Sequence, residues 1–180
     1  MITYGGRFKV RLEVYHGVPH GWSQAELVAA HRELGGVFPI GGDRATEPGA
    51  PSWMPDRANW LQYRRTLYRI TDGVRAGDSA CIELAVRYIE LRYIGSYSGF
   101  VRARLANALR RTDLSISQKT RLNRVFMLIV RNRDYTDEFN SYAKLWRQIV
   151  QPDALELIRS LLALQPATSR WKWLRQFEHA

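Results

Sequence analysis

Ser115-Ile116-Ser117-Gln118-Lys119-Thr120-Arg121-Leu122-Asn123-Arg124-Val125-Phe126-Met127-Leu128-Ile129-Val130 is the stretch on which the fold class turns. Ser115 and Gln118 have the spacing of a capping box. In that motif the hydroxyl accepts an N–H of the first helical turn, and the third residue on reaches back to the cap N–H. Behind it Leu122, Val125, Phe126, Ile129 and Val130 recur at i, i+3, i+4, i+7 and i+8. Only a 3.6-residue period puts such a set on one face. Arg121, Arg124 and Arg131 fall beside that stripe, so the expected helix is apolar on one side and basic on the other.

Working outward, the same signals recur. Upstream, Ser98 is a candidate cap for a helix with Val101, Leu105, Ala108 and Leu109 on its stripe. Asp78 is a candidate N-cap for one with Cys81, Leu84, Ala85, Tyr88 and Ile89, and Glu83 and Arg87 form an i, i+4 pair on its outer side. Residues 57–72 carry Trp60, Leu61, Leu67, Tyr68 and Ile70, with Gly73 as the stop. Downstream, Thr136 would cap a helix with Phe139, Tyr142, Ala143 and Trp146. Pro152 suits the start of another over 152–165, closed by Pro166. That last segment is apolar nearly all round, through Leu155, Leu157, Ile158, Leu161, Leu162 and Leu164. Such a helix is either central or faces a partner. Helices joined by short loops are expected to be antiparallel neighbours. The fold class is therefore mainly α, as an antiparallel helical bundle or a HEAT-like stack of helical hairpins. Asp78–Ala85 and Ser98–Leu105 together resemble a helical segment of uncharacterised bacterial proteins, over about residues 77–147. The resemblance implies a helical fold and brings no activity with it.

The front of the chain reads differently. Phe8, Val10, Leu12 and Val14 alternate with Lys9, Arg11, Glu13 and Tyr15, the period of a half-buried strand. After a loop over His16–Trp22, Ser23 and Glu26 form a second capping box. Leu27, Ala30, His31 and Leu34 follow at helical spacing, stopped by Gly35-Gly36, and Val37–Ile40 suggests a short edge strand. Residues 41–56, rich in glycine and proline, read as a linker. Two parts are expected: a small strand–helix element over 1–56 and a basic helical domain over 57–180.

Several function classes lack their parts. The single cysteine, Cys81, cannot form an intramolecular disulfide, and its apolar neighbours suggest a small buried hydrophobe. No window approaches 18 uncharged apolar residues, so no membrane span is expected, and Met1–Gly6 shows no signal-peptide pattern, which makes the cytoplasm the expected address. His16 and His20 with Asp43 or Glu47 match no zinc signature. The Gly35-Gly36 and Gly41-Gly42 pairs lack the lysine and hydroxyl of a phosphate loop. Ser96 and Ser98 lack the strand that a nucleophile elbow requires. No catalytic residue, cofactor or metal is therefore expected.

Charge gives the positive signal. Residues 1–57 hold 6 basic and 6 acidic side chains, whereas 58–180 hold 21 basic and 11 acidic, so the whole net charge of +10 lies in the rear. Between 98 and 133, Arg102, Arg104, Arg110, Arg111, Lys119, Arg121, Arg124, Arg131 and Arg133 face a single Asp113. Guanidinium forks bind phosphate bidentately. If the two helices pack through their apolar stripes, their flanks form one continuous basic surface for DNA or RNA; the plain alternative is that they solvate two outer faces. A helix–turn–helix reading adds Ser117, Gln118, Lys119 and Thr120 as base contacts. In the tail, Arg170, Trp171 and Lys172 suit stacking and phosphate contact, while Trp173 and Phe177 suit a cap packed on the body. The competing function is a protein partner or homo-oligomer using 152–177.

Overall fold

The structure, a computed structural model, describes residues 17–41, 55–95, 97–164 and 173–177. Among these residues it is all helical. The helices are α1 (Gln24–Glu33), α2 (Pro55–Arg75), α3 (Ser79–Leu91), α4 (Ser98–Leu109), α5 (Ile116–Asn132), α6 (Phe139–Ile149) and α7 (Pro152–Leu164), followed by a 3₁₀ turn, Leu174–Phe177. None of them is long and apolar enough to cross a membrane. The strand expected over 8–15 and the linker stretch 42–54 lie outside the described residues.

The helices pack as a two-layered bundle. α3 lies between α1 and α5 in one layer, and α4 lies between α2 and α6 in the other. Across the layers α1 meets α2, α2 and α4 meet α3, and α5 meets α6. α4 and α5, consecutive in sequence, are not a packing pair of this kind. Both capping boxes are present: Ser23 with Glu26 starts α1, and Ser115 with Gln118 starts α5. Two starts differ from expectation. Ser98 is the first residue of α4, and its hydroxyl ties back to Gly95 instead of capping. Thr136 lies before α6, which begins at Phe139, and its carbonyl accepts the Phe139 N–H.

One apolar core runs through the bundle, from Leu27 and Ile40 at the front, through Leu67, Leu84, Leu105 and Phe126, to Trp173, Leu174 and Phe177 at the end. Trp173 and Phe177 close it as the expected cap. Trp173 packs 5.1 Å from the Phe139 ring, and Phe177 packs 5.6 Å from Trp146. α7 is peripheral. It buries Ala154 and Ile158 fully, while Leu155, Leu157 and Leu161 remain half-buried.

The front element is clasped to the helices by Asp78. This N-cap accepts the Cys81 N–H of its own helix at 2.8 Å, the Val37 and Phe38 N–H groups at 2.8 and 2.9 Å, and His31 Nε2 at 3.0 Å. That explains why Val37–Ile40 is no edge strand: two of its N–H donors are spent on a carboxylate. Tyr93 adds a second tie, its hydroxyl donating to the Gly17 carbonyl at 2.8 Å. His31, Asp78 and Cys81 converge within 4.8 Å and are all buried. The Asp78 oxygens are already committed to these donors, and burial first, then the Asp78 carboxylate, pushes the Cys81 thiol well up. In this arrangement the cluster is a hydrogen-bonded staple, and burial disfavours the Cys81 thiolate.

Candidate nucleic-acid interface

The nine cations of 98–133 divide by what they touch. Arg102, 5 % exposed, is a core residue. Its Nε donates to Glu138 Oε1 at 2.8 Å, a second nitrogen meets the same carboxylate, and a third meets the Tyr93 carbonyl. Burial opposes its charge, but Tyr142 and Glu138 outweigh that and hold its pKa above the ordinary arginine value. Arg121 is committed too. It bridges α5 to α3, with Nε 2.9 Å from Glu90 Oε1 and a terminal nitrogen 2.8 Å from Glu83 Oε1. Glu83 keeps its expected pair with Arg87 at 2.8 Å, yet it faces α5 as much as solvent. Arg102 and Arg121 are therefore drawn away from the expected interface, because each guanidinium is paired with carboxylate inside the protein.

The other seven have no carboxylate ion pair among the described residues. Arg104, Arg111, Arg124, Arg131 and Arg133 are exposed, and Arg110 and Lys119 are half-buried. The expected single surface required α4 and α5 to pack through their stripes, and these helices belong to different layers instead. Arg124 and Arg131 line an open groove of about 470 Å³ with Thr120, Met127, Gln151 and Asp153. Arg104 lies on the α2 side. Arg170, Trp171 and Lys172 fall outside the described residues.

At the start of α5 some of the expected base contacts are engaged within the protein. Gln118 caps Ser115 and donates to Glu83 at 3.1 Å, and Thr120 accepts from Gln151 at 2.9 Å. Nearby, Asn123 acts as a structural hub: its amide donates to the Lys119 and Ile149 carbonyls, and its oxygen accepts from Trp146 Nε1 and the Gln151 N–H. Base-reading side chains need free donors and acceptors, and Gln118 and Thr120, two of the four expected base contacts, are bonded within the protein.

A group that charge counting missed lies where α2 meets the start of α4. Trp60, Arg64 and Tyr68 stand at i, i+4 and i+8 on α2, Tyr97 immediately precedes α4, and Phe100 and Arg104 lie on it. The Arg64 guanidinium carbon sits 5.4 Å from the Trp60 and Tyr68 ring centroids and 4.6 Å from that of Tyr97. Arg104 sits 5.0 Å from the Tyr68 ring, and the Tyr97 and Phe100 rings are 6.0 Å apart. Cations held over ring faces at such distances are attracted by the ring quadrupole, by about 0.5–1 kcal/mol at exposed sites. Tyr97 occupies the left-handed region at φ 60°, a conformation costing a bulky L-residue about 1–2 kcal/mol. The i, i+4 spacing of Trp60, Arg64 and Tyr68 was the available signal in the sequence.

Compared with family models, curated proteins and solved structures, the chain matches none, so its function rests on its own chemistry.

Proposed function

We propose that the protein is a non-enzymatic nucleic-acid-binding helical protein that contacts the phosphate backbone of DNA or RNA without reading sequence. The observation that carries this is the set of seven cations in 98–133 without carboxylate partners among the described residues, in a segment whose one acidic residue is Asp113. Unpaired guanidiniums on the surface of a chain of net charge +10 attract a polyanion and release its counterions. The internal hydrogen bonds of Gln118 and Thr120 at the start of α5 agree with contact to the backbone.

Reversing Arg104, Arg111, Arg124 and Arg131 to glutamate tests the reading. Wild-type protein is expected to bind oligonucleotides with an affinity that falls steeply with salt, at about −0.7 to −0.9 in log K per log salt for each phosphate contacted. The quadruple variant, checked for folding by circular dichroism, is expected to lose retention at low salt. Equal retention would remove these arginines from the interface.

A second reading, a protein partner or a second copy docked through 152–177, draws on the half-buried Leu155, Leu157 and Leu161 and the exposed Leu164 of α7. It predicts association that survives salt and ignores the arginine reversals. Light scattering on the same samples separates the two.

A further inference from the structure

We infer that the face formed by α2 and the start of α4 is a stacking platform for unpaired bases, so that the proposed nucleic-acid ligand is single-stranded; this rests on the reading above. Tyr97 and Phe100 are the two exposed aromatic rings among the described residues, at 45 % and 70 % exposure. The tryptophan and phenylalanine rings elsewhere among the described residues are buried or half-buried against the core, so this pair stands apart from them. The pair is joined to Arg64, and through Tyr68 to Arg104, in a series that alternates ring and cation.

That alternation has the chemistry of a single strand, which offers a flat π-face and a phosphate with each nucleotide. Every base has such a face, so stacking tolerates any sequence, in keeping with backbone-directed binding. A duplex hides its base faces and would use the cations alone. Neither Arg64 nor Arg104 has a carboxylate ion pair among the described residues, which leaves both guanidiniums available to phosphate there. The left-handed backbone at Tyr97 is a second mark of the place. Glycine would serve that turn without strain, yet a tyrosine stands there with its ring against Arg64.

The test compares an oligothymidine with an abasic strand of equal length and charge, and with a duplex, by fluorescence anisotropy. The variants are Phe100→Ala and Tyr97→Gly, the latter chosen because glycine keeps the backbone conformation. Thermal melts verify that both fold. Wild type is expected to bind oligothymidine about tenfold more tightly than the abasic strand. Each variant is expected to lose most of that preference while the salt dependence stays as it was. Equal affinity of wild type for thymidine and abasic strands, a preference for duplex, or a preference kept in both variants overturns the platform and leaves backbone binding standing. Binding to none of the three at low salt overturns both. Self-association that Phe100→Ala abolishes, without any preference for thymidine, assigns the face to a second copy of the chain and overturns the platform.

Discussion

The Asp78 carboxylate holds together segments far apart in sequence, so its protonation state governs how the front of the chain is attached. Burial alone would raise its pKa, but the N–H groups of Phe38, Cys81 and Val37 outweigh burial and hold it well below the usual carboxylate range. The sign follows from linkage. A carboxyl whose pKa is depressed on folding stabilises the native state above its unfolded value of about 4, and loses that contribution as pH falls. Urea unfolding followed from pH 7 to pH 3 is expected to show a falling midpoint. Asp78→Asn is expected to lower the midpoint at neutral pH by about 2–3 kcal/mol of stability, because charged hydrogen bonds of about 1.5–3 kcal/mol are lost. It should also flatten the acid slope. Glu83 is held low as well: burial would raise it, and Arg121 and Gln118 overcome that. For this reason the difference between wild type and Asp78→Asn is the diagnostic quantity; parallel curves would show that the clasp does not depend on the charge.

Between elements, the decisive side chains are arginines whose partners lie far away in sequence. Arg102 and Glu138 join α4 to the turn before α6, both almost fully buried. Removing one member of a buried pair leaves an uncompensated charge and costs about 3–5 kcal/mol, whereas replacing both by apolar groups can be neutral. Arg102→Met is therefore expected to be severely destabilising, and Arg102→Met with Glu138→Leu to recover most of the loss. The recovery stays incomplete because the Tyr93 carbonyl loses its donor. Denaturant titration of wild type, Arg102→Met, Glu138→Leu and the double variant measures this. A double variant as unstable as the sum of the two singles would show that the pair is not coupled. The same pair marks the limit of what could be read from sequence. Capping boxes and the Asp78 cap were legible because their partners stand three residues apart. Arg102 and Arg121 looked like the seven other cations of their segment, because the carboxylates that claim them lie 31 to 38 residues away. Conversely, Trp60, Arg64 and Tyr68 are local at i, i+4 and i+8, so the stacked group on α2 was open to a reading that weighed aromatic spacing as well as charge.

At the scale of the whole molecule, periodicity says which face of each helix is apolar and not which helix that face meets. The stripes of α4 and α5 were legible residue by residue, yet both helices turn them toward other elements: α4 toward α2, α3 and α6, and α5 toward α3 and α6. The expected continuous basic surface depended on that unread choice. What the layers produce instead is one apolar core reaching from Leu27 on α1 to Phe177. Stacked helix pairs that couple only to their neighbours can unfold in parts, but a shared core favours a single cooperative transition. Tryptophans at both ends make the distinction measurable. Trp22 lies against Tyr88 at the front, with ring centroids 5.2 Å apart, and Trp146 lies against Phe126 and Phe177 at the other end. Fluorescence of Trp22→Phe and Trp146→Phe variants, each unfolded in denaturant and followed also by far-ultraviolet circular dichroism, is expected to give coincident normalised transitions for the two probes. If the fluorescence change that Trp146 contributes precedes the loss of helix, the aromatic end opens on its own. The pairs are then linked more weakly than a continuous core implies.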